Sequence, residues 1–259
     1  MSEEKNSIPT ILRGFVVLEK VVEAQRPISA TDLIEELGLP KPTVHRILQQ
    51  LEDEGLLQRE PLYKRYLPGI RAQALAFGLA SHKVIGAPRH AILQALSDEI
   101  GETCNCTMFD GDSIIYFDRV ETNWPFRIQL PVGSRLPLHC TASGKLFLAY
   151  MNATQRKRLI TAAPLQRLSE RTITDPDLLL EDLMRVKQEG IGVDNEENLA
   201  GMVALAVPVF DSTNEVCFTV AVHAPKIRKS LEELRQYIPS LKRSAAAMTT
   251  YYCNPEDDT

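Results

Sequence analysis

The chain has 259 residues, a formal net charge of −5, 44% hydrophobic residues and 24% charged residues. These values predict about two packed domains and exclude a largely disordered chain, and no apolar run approaches the roughly 18 residues of a membrane span. Its five cysteines are odd in number and lack the spacing of a disulfide framework, and the polar, acidic start MSEEKNSIPT is not a signal peptide. We therefore predict a reduced, cytoplasmic protein that has no contact with a membrane.

Charge alone does not mark the chain as a nucleic-acid binder. Residues 1–70 carry nine Lys and Arg against eleven Asp and Glu. Any contact with DNA must therefore come from the local placement of cations rather than from a basic domain.

The first predicted element is an amphipathic helix over residues 10–24. Apolar residues recur at helical spacing, so we expect one side of this helix to face the core. The residues on that side are Leu12, Phe15, Val16 and Val22.

A second, shorter helix is predicted from Ala30 to Leu37. Ser29 is a favourable N-cap residue, and Asp32 three residues later can return the hydrogen bond, as in a capping box. Gly38 then suits a helix end, where a left-handed conformation is needed.

The stretch GLPKPTVHRILQQLEDEGLL, residues 38–57, predicts a turn followed by a third helix that ends at Gly55. Pro42 fits the first turn of that helix, and Val44, Leu48 and Leu51 form its apolar stripe. The residues off the stripe offer a cation, two amides, a hydroxyl and an imidazole. Those groups can read base edges in a major groove, although in isolation they also fit a solvated helix face.

Two short strands, Leu56–Glu60 and Tyr63–Leu67, follow around Pro61 and complete a winged helix-turn-helix. Basic residues near the turn of this wing are placed to contact phosphates. The DNA-binding candidates are Arg13, Lys41, Thr43, His45, Arg46, Gln49, Gln50, Lys64 and Arg65.

The remainder of the chain predicts a helical linker and then a mixed sheet with flanking helices, so the fold class is α+β. The linker helix covers residues 70–83, and the domains are residues 1–69, a linker over 70–84, a second domain over 85–253 and a tail over 254–259. The other predicted helices are residues 89–100, 141–151, 154–161, a helix that Thr174 caps and that ends at Gly190, and 227–252 with a break at Pro239. The predicted strands are residues 103–109, 113–120, 126–130, 191–194, 203–210 and 216–224.

With both halves in view, the chain resembles the IclR-type transcriptional regulators. The resemblance covers nearly the whole length and rests on LRGFVVLEKVVEA, GLPKPTVHRILQQLEDEGLL, YKRYLPG, GETCNCTMFDGDSIIYFDRV, LPLHCTASGKLFLAY, GVDNEEN and GMVALAVPVFD. It implies a winged helix, a linker helix and a C-terminal domain related to GAF and profilin-like sensor folds. It also implies dimers joined through the DNA-binding region, often paired into tetramers, and a small ligand that changes DNA affinity or assembly at an operator.

The resemblance also implies an effector pocket in the second half, without a cofactor. Ala204 stands where members often have Cys, and Ala221 and His223 stand where a carboxylate-binding member has Ser. We therefore expect an organic acid with an apolar or aromatic body, its carboxylate held by His223 and by the helix start near Ser143. The effector-binding candidates are Ile128, Leu136, Ala142, Ser143, Asp194, Met202, Ala204, Ala221 and His223.

Three other interpretations compete with a ligand-responsive regulator. One is a DNA-binding dimer without a small-molecule ligand. Another is a thiol enzyme using His139 and Cys140, which is disfavoured because adjacent residues on a strand point to opposite faces. The third is a metal cluster of Cys104, Cys106, His139, Cys140 and His223, whose spacing is not that of a zinc finger.

Overall fold

The computed structural model describes residues 9–24, 26–60, 63–124 and 130–252. The chain forms two compact units, Met1–Ala80 and Ser81–Thr259. No helix in the described ranges is both long enough and apolar enough to cross a bilayer.

The first unit contains three helices, a two-stranded antiparallel hairpin and a fourth helix. Aliphatic side chains of the three helices form its core, to which Leu57 and Tyr66 of the hairpin contribute. The elements are α1 (Thr10–Glu23), α2 (Ala30–Leu37), α3 (Lys41–Asp53), β1 (Leu57–Arg59), β2 (Tyr66–Pro68) and α4 (Ile70–Ala80).

Local capping sets the boundaries of α2 and the turn before α3. The hydroxyl of Ser29 accepts the amide of Asp32 while the carboxylate of Asp32 accepts the amide of Ser29, which confirms the predicted capping box. Gly38 ends α2 with a φ of 62°, a conformation that costs a residue with a Cβ far more than glycine. Pro42 lies in the first turn of α3, as predicted.

The buried side of α1 differs from the predicted side. Val17 and Val21 are buried, whereas Leu12, Phe15 and Val22 are about half exposed. The helix therefore carries two apolar stripes. Periodicity finds both of them but cannot tell which one packs against the chain's own core.

Helix α4 is shorter than the predicted 70–83 segment and has no buried side chain. Ile70, Leu75 and Leu79 are each more than half exposed, although they are large and apolar. An apolar helix that is not covered by its own unit marks a surface for interaction.

The second unit is a six-stranded antiparallel sheet in the order β5-β4-β3-β8-β7-β6 with helices on both faces. The predicted α+β class is therefore confirmed, whereas the predicted mixed sheet is wrong, because every pair of neighbouring strands is antiparallel. Its helices are α5 (Ala87–Ile100), α6 (Ala142–Tyr150), α7 (Ala153–Thr161), α8 (Pro176–Glu189), α9 (Leu231–Arg235) and α10 (Ile238–Tyr252), and its strands are β3 (Thr103–Asp110), β4 (Ser113–Val120), β5 (Arg135–Pro137), β6 (Gly192–Asn195), β7 (Met202–Phe210) and β8 (Val216–Pro225).

Alternation along β3 assigns its side chains to the two faces of the sheet. Cys106 points toward α10, where its sulfur lies 3.9 Å from that of Met248. Thr107 points to the opposite face, where its hydroxyl bonds that of Thr219 on β8. Thr219 in turn contacts Ser143 at the start of α6. The predicted effector residues that the structure describes lie around the cavity on this second face.

Several predicted elements need correction. Asp175, not Thr174, caps α8, because its carboxylate accepts the amides of the first turn. The C-terminal helix begins at Leu231 rather than residue 227, and the predicted break separates α9 from α10 just before Pro239. Strand β5 was missed because it is three residues long and ends in proline. The strand predicted over 126–130 lies outside the described residues except for Leu130, which is not in a strand.

Candidate functional site

Helix α3 buries one face and exposes the other. Val44, Ile47 and Leu48 are buried against the core of the first unit. Of the DNA-binding candidates on this helix, Thr43 is half-buried, and the exposed ones are Lys41, His45, Arg46, Gln49 and Gln50. The side-chain amide of Gln49 donates to Asp53 at 2.8 Å, so a base contact by Gln49 requires that bond to break.

The wing presents two further cations. Lys64 and Arg65 are exposed, and the Arg65 guanidinium lies over the ring of Tyr63, 5.7 Å from its centroid. Lys64 adopts a φ of 52°, which turns the chain between the strands of the hairpin. Arg13 is half-buried and lies on α1, a different helix from the other candidates.

Arg59 fixes the hairpin to α3. Its guanidinium pairs with Glu52 at 2.7 Å and donates to the hydroxyl of Tyr66 at 2.6 Å. This link joins the C-terminal end of α3 to both strands, so it holds the wing and the helix in one rigid arrangement.

The second unit contains a cavity between the sheet and the start of α6, with about 490 Å³ of space when its opening to solvent is included. The enclosed part of this space is only about 40 Å³, below the roughly 300–1,000 Å³ of typical small-molecule sites, so a ligand enters only if lining side chains move apart. Eight of the nine predicted effector residues line it: Leu136, Ala142, Ser143, Asp194, Met202, Ala204, Ala221 and His223. The ninth, Ile128, lies outside the described residues.

The start of α6 forms one end of the cavity. The hydroxyl of Thr141 accepts the amide of Gly144, and the remaining amides of a first helical turn have no partner within the helix. A first turn of this kind favours a bound carboxylate. The helix start sits against β6, where a Cβ added at Gly192 would lie only 2.0 Å from the carbonyl oxygen of Ala142.

Lys145, one turn into α6, is buried and holds two carboxylates. Its ammonium lies 2.6 Å from Glu197 and 2.9 Å from Asp182. Burial acts to lower the pKa of Lys145, but these carboxylates outweigh it and raise the pKa, so Lys145 stays charged. The ion network ties α6 to α8 and to the loop after β6.

Asp194 is the acidic group of the cavity wall. Its carboxylate accepts the amides of Glu197 at 2.8 Å and Asn198 at 3.3 Å. Burial raises its pKa to about 7, because the two hydrogen bonds and Lys145 only partly offset the cost of burying its charge. Near neutral pH the Asp194 carboxyl group of the cavity wall is therefore partly protonated.

Asn105 and His223 form a second polar element, on the floor of the cavity. The Asn105 amide nitrogen lies 3.1 Å from Nδ1 of His223. Burial, with a contribution from Arg119, lowers the pKa of His223 to about 3, so the ring is neutral. Two buried atoms of this pair, Asn105 Oδ1 and His223 Nε2, have no hydrogen-bond partner among the described residues.

Among the described residues, the candidate thiols and histidines are not arranged as a nucleophile–base pair or as a metal cluster. Burial raises the pKa of the Cys140 thiol to about 12, and the imidazole of His139 bonds the carbonyl oxygen of Gln166 instead. The two residues lie in a turn rather than on the predicted strand. Within the described ranges, no three His, Cys, Asp or Glu side chains are grouped so as to hold a metal ion.

Comparison with known proteins decides the family. The IclR helix-turn-helix domain matches residues 10–61, and the bacterial transcriptional regulator IclR C-terminal domain matches residues 78–250. The chain belongs to the IclR family of bacterial transcriptional regulators. It is therefore a regulator with a helix-turn-helix DNA-binding domain and a C-terminal effector domain, and not an enzyme.

Two individual relatives span nearly the whole chain, and a third matches 62% of it. The probable transcriptional regulator SauR of Cupriavidus necator is 43% identical over 98% of this chain and 100% of its own length. The crystal structure of the Thermotoga maritima IclR aligns with a TM-score of 0.62 and 26% identity, covering 93% of this chain and 98% of that one. The inducer-binding domain of Acinetobacter PobR, solved as a double mutant with 3-hydroxybenzoic acid, aligns with a TM-score of 0.57 and 26% identity over 62% of this chain and 94% of that one.

Several cavity residues of this IclR-family chain were missed by sequence reasoning. They include Asn105, Tyr116, Thr141 and Asn198. A signal was available only for Asn105, an amide between two cysteines on a strand that was predicted to join the sheet, because a buried amide needs partners.

Proposed function

We propose that this regulator responds to a small organic acid bound in the cavity of the second unit, and that the acid changes its affinity for operator DNA or its assembly. The observation that carries the proposal is the cavity itself. It combines a helix start suited to a carboxylate, an apolar floor with methyl groups from Ala204 and Ala221, and buried polar atoms without partners. A filled, dry core would instead have favoured a dimerisation module without a ligand.

The helix start provides the anion-binding end of the cavity. Amides of the first turn of α6 carry partial positive charge and are not used within the helix. Ser143 adds a hydroxyl that already accepts from Thr219 at 2.8 Å, so its own hydrogen is available to an acceptor in the cavity. A double mutant of the inducer-binding domain of the fold relative PobR was solved in complex with 3-hydroxybenzoic acid, which supports an acid with an aromatic body here as well.

On the DNA side, we propose that α3 enters the major groove and that the wing contacts phosphates. The exposed set of α3 supplies a guanidinium and two amides, the groups that pair with guanine and adenine edges. Lys64 and Arg65 supply charge without sequence information. Arg46 is the central residue of this surface.

We further propose that the chain binds a palindromic operator as a dimer and that dimers pair into tetramers. The uncovered apolar side chains of α1 and α4 support a self-association surface in the first unit. A two-fold dimer presents its two reading helices to successive major grooves, about 34 Å apart. Because the DNA that such a regulator binds lies in the cytoplasm, we propose that the protein acts there.

Calorimetry with a panel of small acids and their amides tests the effector proposal. Benzoate, butanoate and their hydroxylated forms are titrated into the full chain, with benzamide and butanamide as uncharged controls. We expect acids to bind and amides to fail. Ala204→Leu, which fills the cavity floor, should abolish binding, whereas Ala247→Leu on the exposed face of α10 should not. Binding that survives Ala204→Leu, or that does not distinguish acid from amide, contradicts the proposal.

A further inference from the structure

The polar atoms of the cavity lie in two places along β8. Thr219 contacts Ser143 at the start of α6, whereas Asn105 is paired with Ala221 and bonds His223. At about 3.3 Å per residue, Ala221 and His223 lie roughly 7 and 13 Å along the strand from Thr219. The Asn105–His223 pair is therefore separated from the anion-binding end by the width of a small molecule.

The hydrogen-bonding character of the pair follows from its geometry. If the Asn105 amide nitrogen donates to Nδ1, the neutral ring carries its proton on Nε2, which leaves one donor, Nε2–H, and one acceptor, Asn105 Oδ1. If the amide is flipped, Oδ1 accepts from Nδ1–H, and the pair presents the acceptor Nε2 and a donor on Asn105. In both arrangements the pair offers one donor and one acceptor.

We propose that Asn105 and His223 form a specificity subsite for a hydroxyl group carried by the effector at the end opposite its carboxylate. A hydroxyl both accepts and donates a hydrogen bond, so a single group satisfies the two buried atoms. A second carboxylate only accepts, and it would leave one buried acceptor of the pair unsatisfied. The inference rests on the proposed effector function and assigns to His223 the far end of the ligand rather than its carboxylate.

The charged groups around Asn105 and His223 favour an uncharged ligand group at this position. Arg119 is opposite Asn105 in register, and its guanidinium pairs with Glu121 at 3.0 Å and lies over the ring of Tyr116, 5.6 Å from its centroid. The cation is therefore balanced within the protein. Asp194, on the other wall, adds negative charge that opposes a second anion.

Matched ligands test the subsite. Affinities of benzoate, 4-hydroxybenzoate, 3-hydroxybenzoate, 2-hydroxybenzoate and terephthalate are measured by calorimetry at pH 7.5, with butanoate and 4-hydroxybutanoate as an aliphatic pair. We expect a hydroxyl remote from the carboxylate to tighten binding by about tenfold, since two buried groups gain partners. The 2-hydroxyl and the second carboxylate should give no such gain.

Substitutions test whether the tighter binding of hydroxylated acids depends on Asn105 and His223. In Asn105→Ala and His223→Ala the hydroxyl advantage, which is the affinity of each hydroxylated acid divided by that of its parent acid in the same variant, should fall to about one, and His223→Gln, which keeps a hydrogen-bonding group, should retain part of it. Asn195→Ala, a matched truncation on β6 that does not line the cavity, should keep the advantage. Thermal unfolding of each variant confirms that it is folded.

The outcomes separate this inference from the proposed function. If no acid of the panel binds, the effector proposal itself fails. If acids bind but the hydroxyl brings no advantage, or terephthalate is preferred, the hydroxyl subsite is wrong while the effector site stands. An advantage that persists in both alanine variants also overturns the assignment.

Discussion

The two polar surfaces of this regulator differ in how their side chains are held. On α3, the cations and amides are exposed, and among the described contacts only Gln49 is tied to a neighbour, Asp53. In the cavity, the polar groups are buried, locked by neighbours and shifted in pKa. The two proposed tasks, DNA binding and effector binding, therefore fall on surfaces of different character. Adaptable side chains suit a surface that reads DNA, whereas fixed, desolvated groups suit a site that selects one small molecule.

Removing the buried charge of Lys145 should have the largest effect, a loss of stability in the second unit. Lys145→Met leaves the buried Glu197 without its cation and leaves Asp182 with Arg185 alone, and we expect it to destabilise the second unit by about 3–5 kcal/mol. Trp124 is the only tryptophan of the chain and lies in the second unit, so denaturant unfolding followed by its fluorescence measures this loss. Lys157→Met on exposed α7 is the control, with an expected change within about 0.5 kcal/mol. Equal effects of the two substitutions would remove the distinction between buried and exposed charge.

The stability of the fold should also depend on pH, through the buried groups Asp194 and His223. Asp194 has a folded pKa of about 7 against an ordinary 3.8, so the folded state holds its proton longer, and this group makes stability fall as pH rises from about 4 to 7. His223 has a folded pKa of about 3 against 6.5, so the unfolded state binds more protons, and stability rises over about pH 3 to 6.5. The two contributions oppose each other in the unliganded wild type.

Single variants should therefore separate them. At about 1.4 kcal/mol for each pKa unit, Asp194→Asn should gain roughly 2–3 kcal/mol relative to wild type between pH 4.5 and 6.5, and His223→Gln should lose a similar amount. Urea unfolding at both pH values measures the change. Profiles that run parallel to wild type would show that these groups titrate normally.

Removing the Arg46 side chain from α3 should weaken DNA binding without changing the stability of the fold. Arg46→Ala is expected to weaken binding to the operator by about 1–3 kcal/mol, the value of one good base contact, with a stability change within about 0.5 kcal/mol. Fluorescence anisotropy with a selected palindromic duplex measures the affinity. Arg158→Ala on α7 loses the same charge elsewhere and should bind as wild type does. If both variants bind equally tightly, α3 does not read the groove.

Removing one charge from the wing should have the smallest effect, a change in the salt dependence of DNA affinity. Lys64→Asn removes one charge yet tolerates the left-handed backbone at this position, so the fold of the hairpin is kept. We expect the slope of log affinity against log salt to flatten by about 0.9, equally for operator and unrelated duplex. Sequence-dependent losses would assign Lys64 to base contact instead of phosphate contact.

How well a feature could be predicted from the sequence depends on how far apart along the chain its interacting residues lie. The cap at Ser29, the turn at Gly38 and the start of α3 are decided within a few residues, and each agrees with the structure, while α3 ends two residues before the predicted Gly55. The core face of α1 was assigned wrongly because Val17 and Val21 compete with a second apolar stripe on the same helix.

The cavity shows the limit of local patterns more sharply. The family resemblance supplied eight residues that line one cavity, yet Asn105 was missed because its partner His223 is 118 residues away. Only the pairing of β3 with β8 brings the two together. The lowered pKa of His223 also depends on this burial, which composition does not reveal.

The proposed coupling between effector binding and DNA binding can be measured in a single titration. The affinity of the full chain for its selected duplex is measured at fixed salt with and without a saturating concentration of the tightest acid found by calorimetry. We predict a change of about 5- to 150-fold, the usual span of allosteric coupling, and no change in Ala204→Leu. An acid that binds the wild-type cavity but leaves the DNA affinity and the oligomeric state unaltered would contradict the account.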